Sequence, residues 1–71
     1  MKYKIGDKVR VRKDLIVGNI YDNLEMFVPD MLKYKGKIIT ISESGTGYLN
    51  KCYTAKNIKK WYFTDSMLEK A

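Results

Sequence analysis

The chain has 71 residues, with 14 Lys and Arg against 8 Asp and Glu, for a net charge of +6. It has one cysteine and no histidine, which excludes an internal disulfide and removes the commonest metal ligand and the usual general base near neutral pH. A single domain of this size holds a core worth only about 3–5 kcal/mol of net stability, and the charge favours anionic partners.

The first element follows a turn at Gly6-Asp7. From Lys8 to Arg12 apolar and basic residues alternate strictly, so Val9 and Val11 share one face and Lys8, Arg10 and Arg12 the other. A period of two with β-branched residues predicts a strand with one buried face. Lys13-Asp14 ends it. The next 21 residues, Leu15 to Lys35, are less regular. Asn23 is placed to cap a short helix through Leu24, Glu25, Met26, Phe27 and Val28. Pro29 interrupts it, because proline lacks an N–H and clashes one turn back. Asp30 then opens a further turn carrying Met31, Leu32 and Tyr34. The apolar set Leu15, Ile20, Phe27, Val28, Met31 and Leu32 predicts a long loop folded back over one end of the core.

Lys37 to Ser42 reads as a second strand, strongly bent, with Ile39 and Ile41 on one face. Ser44-Gly45-Thr46-Gly47 supplies a hairpin turn. Tyr48 to Ala55 reads as a third strand, with Leu49, Tyr53 and Ala55 inward and Tyr48, Asn50, Cys52 and Thr54 on the other side. Lys56 to Lys60 is a connection. A short fourth strand, Trp61 to Phe63, points Trp61 and Phe63 into the core. Thr64-Asp65-Ser66 resembles a helix start, with Ser66 and Glu69 at capping-box spacing. Met67 and Leu68 plug the open end.

The order of these segments resembles a known architecture. Gly6-Asp7-x-Val9-x-Val11, a long first loop, Tyr34-x-Gly36-Lys37 with Ile39 and Ile41, and the ending Trp61-x-Phe63-Thr64-x-x-Met67-Leu68-Glu69 are similar to small SH3-like proteins of phages, prophages and conjugative elements of Gram-positive bacteria. The spacing is more distantly similar to the mind-bomb type of SH3 repeat. The resemblance covers nearly the whole chain and implies a mainly β fold: a single SH3-like domain over residues 1–71, with a five-stranded bent barrel, a short helical turn in the first loop and a C-terminal helical turn. It carries over no catalytic or binding residue. The chain departs from peptide-binding SH3 domains, because its first loop has Tyr21, Asp22 and Glu25 but no dense acidic cluster.

Two surfaces emerge as candidates. The cations Lys8, Arg10, Arg12, Lys13, Lys35 and Lys37 form a basic face suited to nucleic acid or another anionic partner, with Lys33 in the same period and Lys56, Lys59 and Lys60 preceding Trp61. The same charges also fit a solvated strand face that discourages edge pairing. Twelve of the fourteen cations are lysine. Among six tyrosines, Tyr21, Tyr48 and Tyr62 are the candidates for contact with a protein partner, since tyrosine buries area yet keeps a polar handle. Cys52 has no histidine to activate it, Gly45-x-Gly47 lacks the strand-to-helix setting of a phosphate loop, and no catalytic, cofactor or metal constellation is present. The expectation is therefore a non-enzymatic cytoplasmic protein-interaction module of a mobile element, monomeric or weakly dimeric. The alternatives are an accessory nucleic-acid binder and a homo-oligomeric structural protein. No apolar run approaches the roughly 18 residues of a membrane span. The start of the chain is not a signal peptide, and the chain reads as a complete protein.

Overall fold

The alternation at Val9 and Val11 produces β1, Lys8–Val11, with both valines buried and Arg10 outward. The computed structural model describes residues 1–71 as a mainly β protein. After β1 come β2 (Ile20–Tyr21), β3 (Glu25–Met26), β4 (Ile38–Thr46), β5 (Cys52–Ala55), β6 (Ile58–Phe63) and β7 (Leu68–Lys70). Five of them form one antiparallel sheet in the order β6-β5-β4-β1-β7, while β2 and β3 form a separate hairpin.

β4 is the hinge of this arrangement. Its first residues pair with β1, with Val9 opposite Ile39, and its later residues pair with β5. Between the pairs Ile41↔Ala55 and Thr46↔Cys52, β4 advances five residues while β5 advances three. The two extra residues are bulges, and each bulge bends and twists its strand. Ile39 and Ile41 therefore stay buried on one face while the strand turns from one neighbour to the other.

The core unites Val9, Val11, Ile41, Tyr53, Phe63, Met67 and Leu68 from the sheet and C-terminal turn with Leu15, Phe27 and Met31 from the long loop. Loop residues Ile20 and Leu32, expected inside, are 59% and 47% exposed. The expected helix after Asn23 is absent. Asp22 and Asn23 both adopt left-handed backbone, at φ 57° and 56°, and a Leu24 N–H to Tyr21 C=O bond closes a β-turn between β2 and β3. Asn and Asp tolerate this conformation and favour a hairpin over a helix. The turn after Pro29 is present as a 3-10 turn over Pro29–Tyr34, with Met31 buried.

The third strand is shorter than expected. β4 runs through Ser44-Gly45-Thr46, and the reversal occurs at Gly47 and a 3-10 turn over Tyr48–Asn50. Gly45 (φ +75°) serves a bulge and Gly47 (φ +70°) starts the turn; a Cβ on Gly47 would lie 2.8 Å from the Tyr62 ring. Leu49, expected inward, sits left-handed in this turn and is 62% exposed. β6 begins at Ile58, earlier than expected, and Trp61 is half-buried rather than a core residue. The C-terminal turn is a 3-10 turn over Asp65–Met67 with no side-chain cap. The Ser66–Glu69 capping box does not form, because Ser66 bonds to Asp22 and Glu69 lies in β7.

One hydroxyl ties the ends together. Tyr53 Oη, fully buried, accepts from the Tyr3 N–H at 3.1 Å and donates to Asp65 Oδ1 at 2.5 Å. Burial, and then the bond to Asp65, push the Tyr53 phenol up to about 12.

Phe63→Ala is expected to cost about 3–5 kcal/mol, the usual loss for a buried aromatic and comparable with the net stability of so small a core. Trp61→Ala is expected to cost clearly less, since one face of that ring is already open. Urea denaturation of both variants checks the order; equal losses would place Trp61 in the core. A second outcome concerns pH. The folded state holds the Tyr53 proton more tightly than an unfolded tyrosine, which titrates near about 10. The stabilisation is complete below about pH 10 and lost as pH rises through about 12. Tyr53→Phe is expected to be less stable than the parent at neutral pH, and the gap in urea midpoint narrows above about pH 10. A gap independent of pH would contradict this.

Candidate functional site

The basic strand face is built as the alternation requires, but it is interrupted. Lys8 and Arg10 project outward from β1. Arg10 stands in register between Ile38 on β4 and Glu69 on β7, so its row carries an apolar residue on one side and a carboxylate on the other. Arg12 forms two hydrogen bonds to Asp14, at 3.0 and 2.8 Å. That contact holds the Asp14 carboxyl below its usual range, with Lys35 adding a weaker pull. Lys13 lays its aliphatic stem across Gly36, and Lys37 follows it, exposed. Asp14 is bonded to Arg12 and Glu69 is the register partner of Arg10, so carboxylates sit among these cations. The surface is a mixed-charge strip rather than a continuous positive track.

The tyrosines separate into three groups. Tyr3 and Tyr53 are core residues with ring centroids 5.6 Å apart. Tyr34 is half-buried and meets Phe63 edge-on at 6.3 Å. Tyr48 is 58% exposed on the turn after Gly47, beside exposed Leu49, and Tyr62 is 38% exposed against Gly47. Tyr21 is not a free surface residue. Its ring packs on the core and its hydroxyl accepts from the Ile16 N–H at 2.9 Å.

Tyr21 and Glu25 are register partners, as are Ile20 and Met26. In a two-stranded ribbon, paired residues share a face and successive residues alternate. The Tyr21 side therefore docks the hairpin, and the Ile20–Met26 side faces outward. The hairpin thus presents Ile20 and Met26 side by side on its outer face, and Ile16 and Val17, earlier in the same loop, are also exposed. This surface was missed in the sequence because Ile20 was assigned inward. The signal was the Asp22-Asn23 pair, which marks a hairpin turn and sets the alternation on both sides.

The hairpin is also anchored from its tip. Asp22 accepts from Ser66 N–H at 2.8 Å and from Ser66 Oγ at 2.5 Å. Burial pushes the Asp22 carboxyl up, but the Ser66 bonds outweigh it and hold the group below the usual carboxylate range. The Thr64 hydroxyl adds a small pull from outside good hydrogen-bond geometry.

A concavity lies between the Pro29–Tyr34 turn and β6. Lys33, Tyr34, Asn57, Ile58, Lys59, Lys60 and Trp61 line an open groove of about 480 Å³. Lys33 Nζ lies 5.4 Å from the Tyr34 ring and Lys60 Nζ 5.0 Å from the Trp61 ring.

Cys52 is fully buried, and its thiol is pushed up by burial and by the Glu25 carboxylate. A thiol in this state is a poor nucleophile. It is expected to react slowly with a disulfide reagent in the folded protein and at the rate of a free thiol in urea; equal rates would show an accessible, reactive thiol. No helix is long and apolar enough to cross a membrane, and no three of the Cys, Asp and Glu side chains gather to hold a metal ion. Compared with protein-family models, with curated proteins and with solved structures, the chain shows no significant match.

Proposed function

We propose that the chain is a small non-catalytic protein-interaction module with an SH3-like barrel fold. The strand order β6-β5-β4-β1-β7 supports the fold reading, because a doubly bulged β4 joins two antiparallel halves across one core. The observation that carries the functional reading is the anchored hairpin. Its tip is bound to the C-terminal turn through Asp22, its inner face is fixed by Tyr21, and its outer face exposes Ile20 and Met26 side by side. An ordered, uncovered apolar face on a small domain is a docking surface for another protein. Tyr48 and Leu49 provide a second exposed contact on the turn after β4. The partner in this reading is a host protein or one encoded by the same mobile element, met in the cytoplasm.

The homo-oligomeric reading has less support. β6 is an edge of the sheet, but its pairing with β5 is broken: Phe63 to Ile58 spans five residues opposite two from Tyr53 to Ala55. A bulged edge carrying Lys59 and Lys60 discourages strand-to-strand association.

Ile20→Lys with Met26→Lys tests the proposal. Both positions are exposed, so the thermal midpoint is expected to stay within a few degrees of the parent. In affinity capture from the native host, the partner retained by the parent is expected to be lost, with affinity reduced by about 30-fold or more, as for central interface anchors. Retention of the same partner by the double variant, or capture that disappears on nuclease treatment, would overturn the reading.

A further inference from the structure

Three concavities mark the surface, and their charges differ. The one beside the N-terminus includes Asp7 among its lysines, and the one over β4 and β5 includes Glu43. The groove at Tyr34 and Trp61 has three lysines and no carboxylate. It is also the only one walled by two aromatic side chains that are not core residues.

The β6 irregularity builds this groove. Opposite the bulge, Lys59, Lys60 and Trp61 leave the regular ladder, and the turn at Asn57 (φ 68°) brings them beside the end of the Pro29–Tyr34 turn. Lys33 and Lys60 already lie against the two rings. Cation and ring are thus presented together, with the ammonium groups held at the aromatic faces before any ligand arrives. Proteins that hold single strands combine these two elements: an aromatic plane on which a base stacks, and cations that follow the phosphates. A rigid duplex hides its base faces and cannot use such a plane. An acidic peptide would satisfy the lysines and leave the rings without a planar partner.

We propose that the Tyr34–Trp61 groove binds a short segment of single-stranded nucleic acid, with a base against an aromatic wall and Lys33, Lys59 and Lys60 on neighbouring phosphates. The site is separate from the hairpin surface, so failure of the protein-interaction reading leaves it untouched, and the reverse holds.

Trp61 is the only tryptophan, so its fluorescence reports the groove directly. Titration with an oligothymidylate of about eight nucleotides at low salt is expected to quench it, a length within the range that such platforms occupy. Three phosphate contacts predict a log–log salt slope of about −2, each contact on a single strand contributing about −0.7. Lys59→Ala with Lys60→Ala is expected to bring the slope near −0.7 and weaken binding, while Lys4→Ala with Lys51→Ala leaves slope and affinity unchanged. Trp61→Leu is expected to lower affinity by about 5- to 150-fold, read by anisotropy of a labelled strand, and Trp61→Phe to restore most of it. If Trp61→Leu fails to fold, the lysine variants decide. Three results would overturn the proposal: no quenching at low salt, equal binding of a duplex or of polyglutamate, or an unchanged slope in the Lys59/Lys60 variant.

Discussion

The hydroxyl of Tyr53 is the contact on which the arrangement of the sheet depends. Its ring fills the core from β5, and its oxygen joins the N-terminal segment to the C-terminal turn. A buried phenol needs a partner, because an unpaired polar group in the interior costs about 1–3 kcal/mol. Asp65 satisfies that need only when the turn over Asp65–Met67 is in place. The same turn carries Ser66, which holds Asp22 and with it the β2–β3 hairpin. One phenol therefore positions the turn, and the turn positions the apolar face that we read as the docking surface.

The two proposed surfaces divide the work of an irregular sheet. A regular antiparallel ladder leaves little room for concavities, since every residue either faces the core or stands in a flat row. Here the departures from regularity make the surface features. The bulges of β4 wrap the sheet around the core and move the reversal to Tyr48–Asn50, exposing Tyr48 and Leu49. The bulge of β6 opens the cationic groove and blunts the edge against unwanted pairing. The strand that stays regular, β1, carries the most conspicuous basic alternation, and there Asp14 and Glu69 break its charge.

Much of the frame was legible in the chain. Strict alternation at Val9 and Val11 and the isoleucines at 39 and 41 placed buried residues, because burial on one face imposes a period of two, and the late pair Met67-Leu68, read as a plug for the open end, is buried as well. The turn expected to open at Asp30 and to carry Met31, Leu32 and Tyr34 is present, starting one residue earlier at Pro29, whose fixed φ suits the first position of a turn. Two of the departures concern residues whose backbone is left-handed. Asp22, Asn23, Leu49 and Asn50 all have positive φ, and no hydrophobic period announces that. Asn23, expected to cap a helix, completes a hairpin turn with Asp22, and Leu49, expected in a strand, forms part of a reversal. The exposed position of Tyr62 was legible by parity, whereas Tyr48 is exposed because it lies on the reversal, and Cys52 and Thr54, assigned to its side of the strand, are buried in β5. The apolar hairpin face was not legible, because its inward and outward sides are decided by docking of Tyr21 and not by the local pattern. The groove at Trp61 was hidden for the same reason: only the β6 bulge brings its lysines beside Tyr34.

The pairing of β1 with β7 has a consequence for the history of each molecule. Val9 lies opposite Lys70, so β1 waits for a strand far along the chain before both of its edges are filled. Contacts this distant in sequence close slowly, because the loop entropy is spent before the contact is gained. Until β7 is in place, the Val9–Val11 strand is paired on its β4 side alone. A chain cut upstream of β7 keeps that edge of β1 unfilled, and an open strand edge is a template for pairing with another chain.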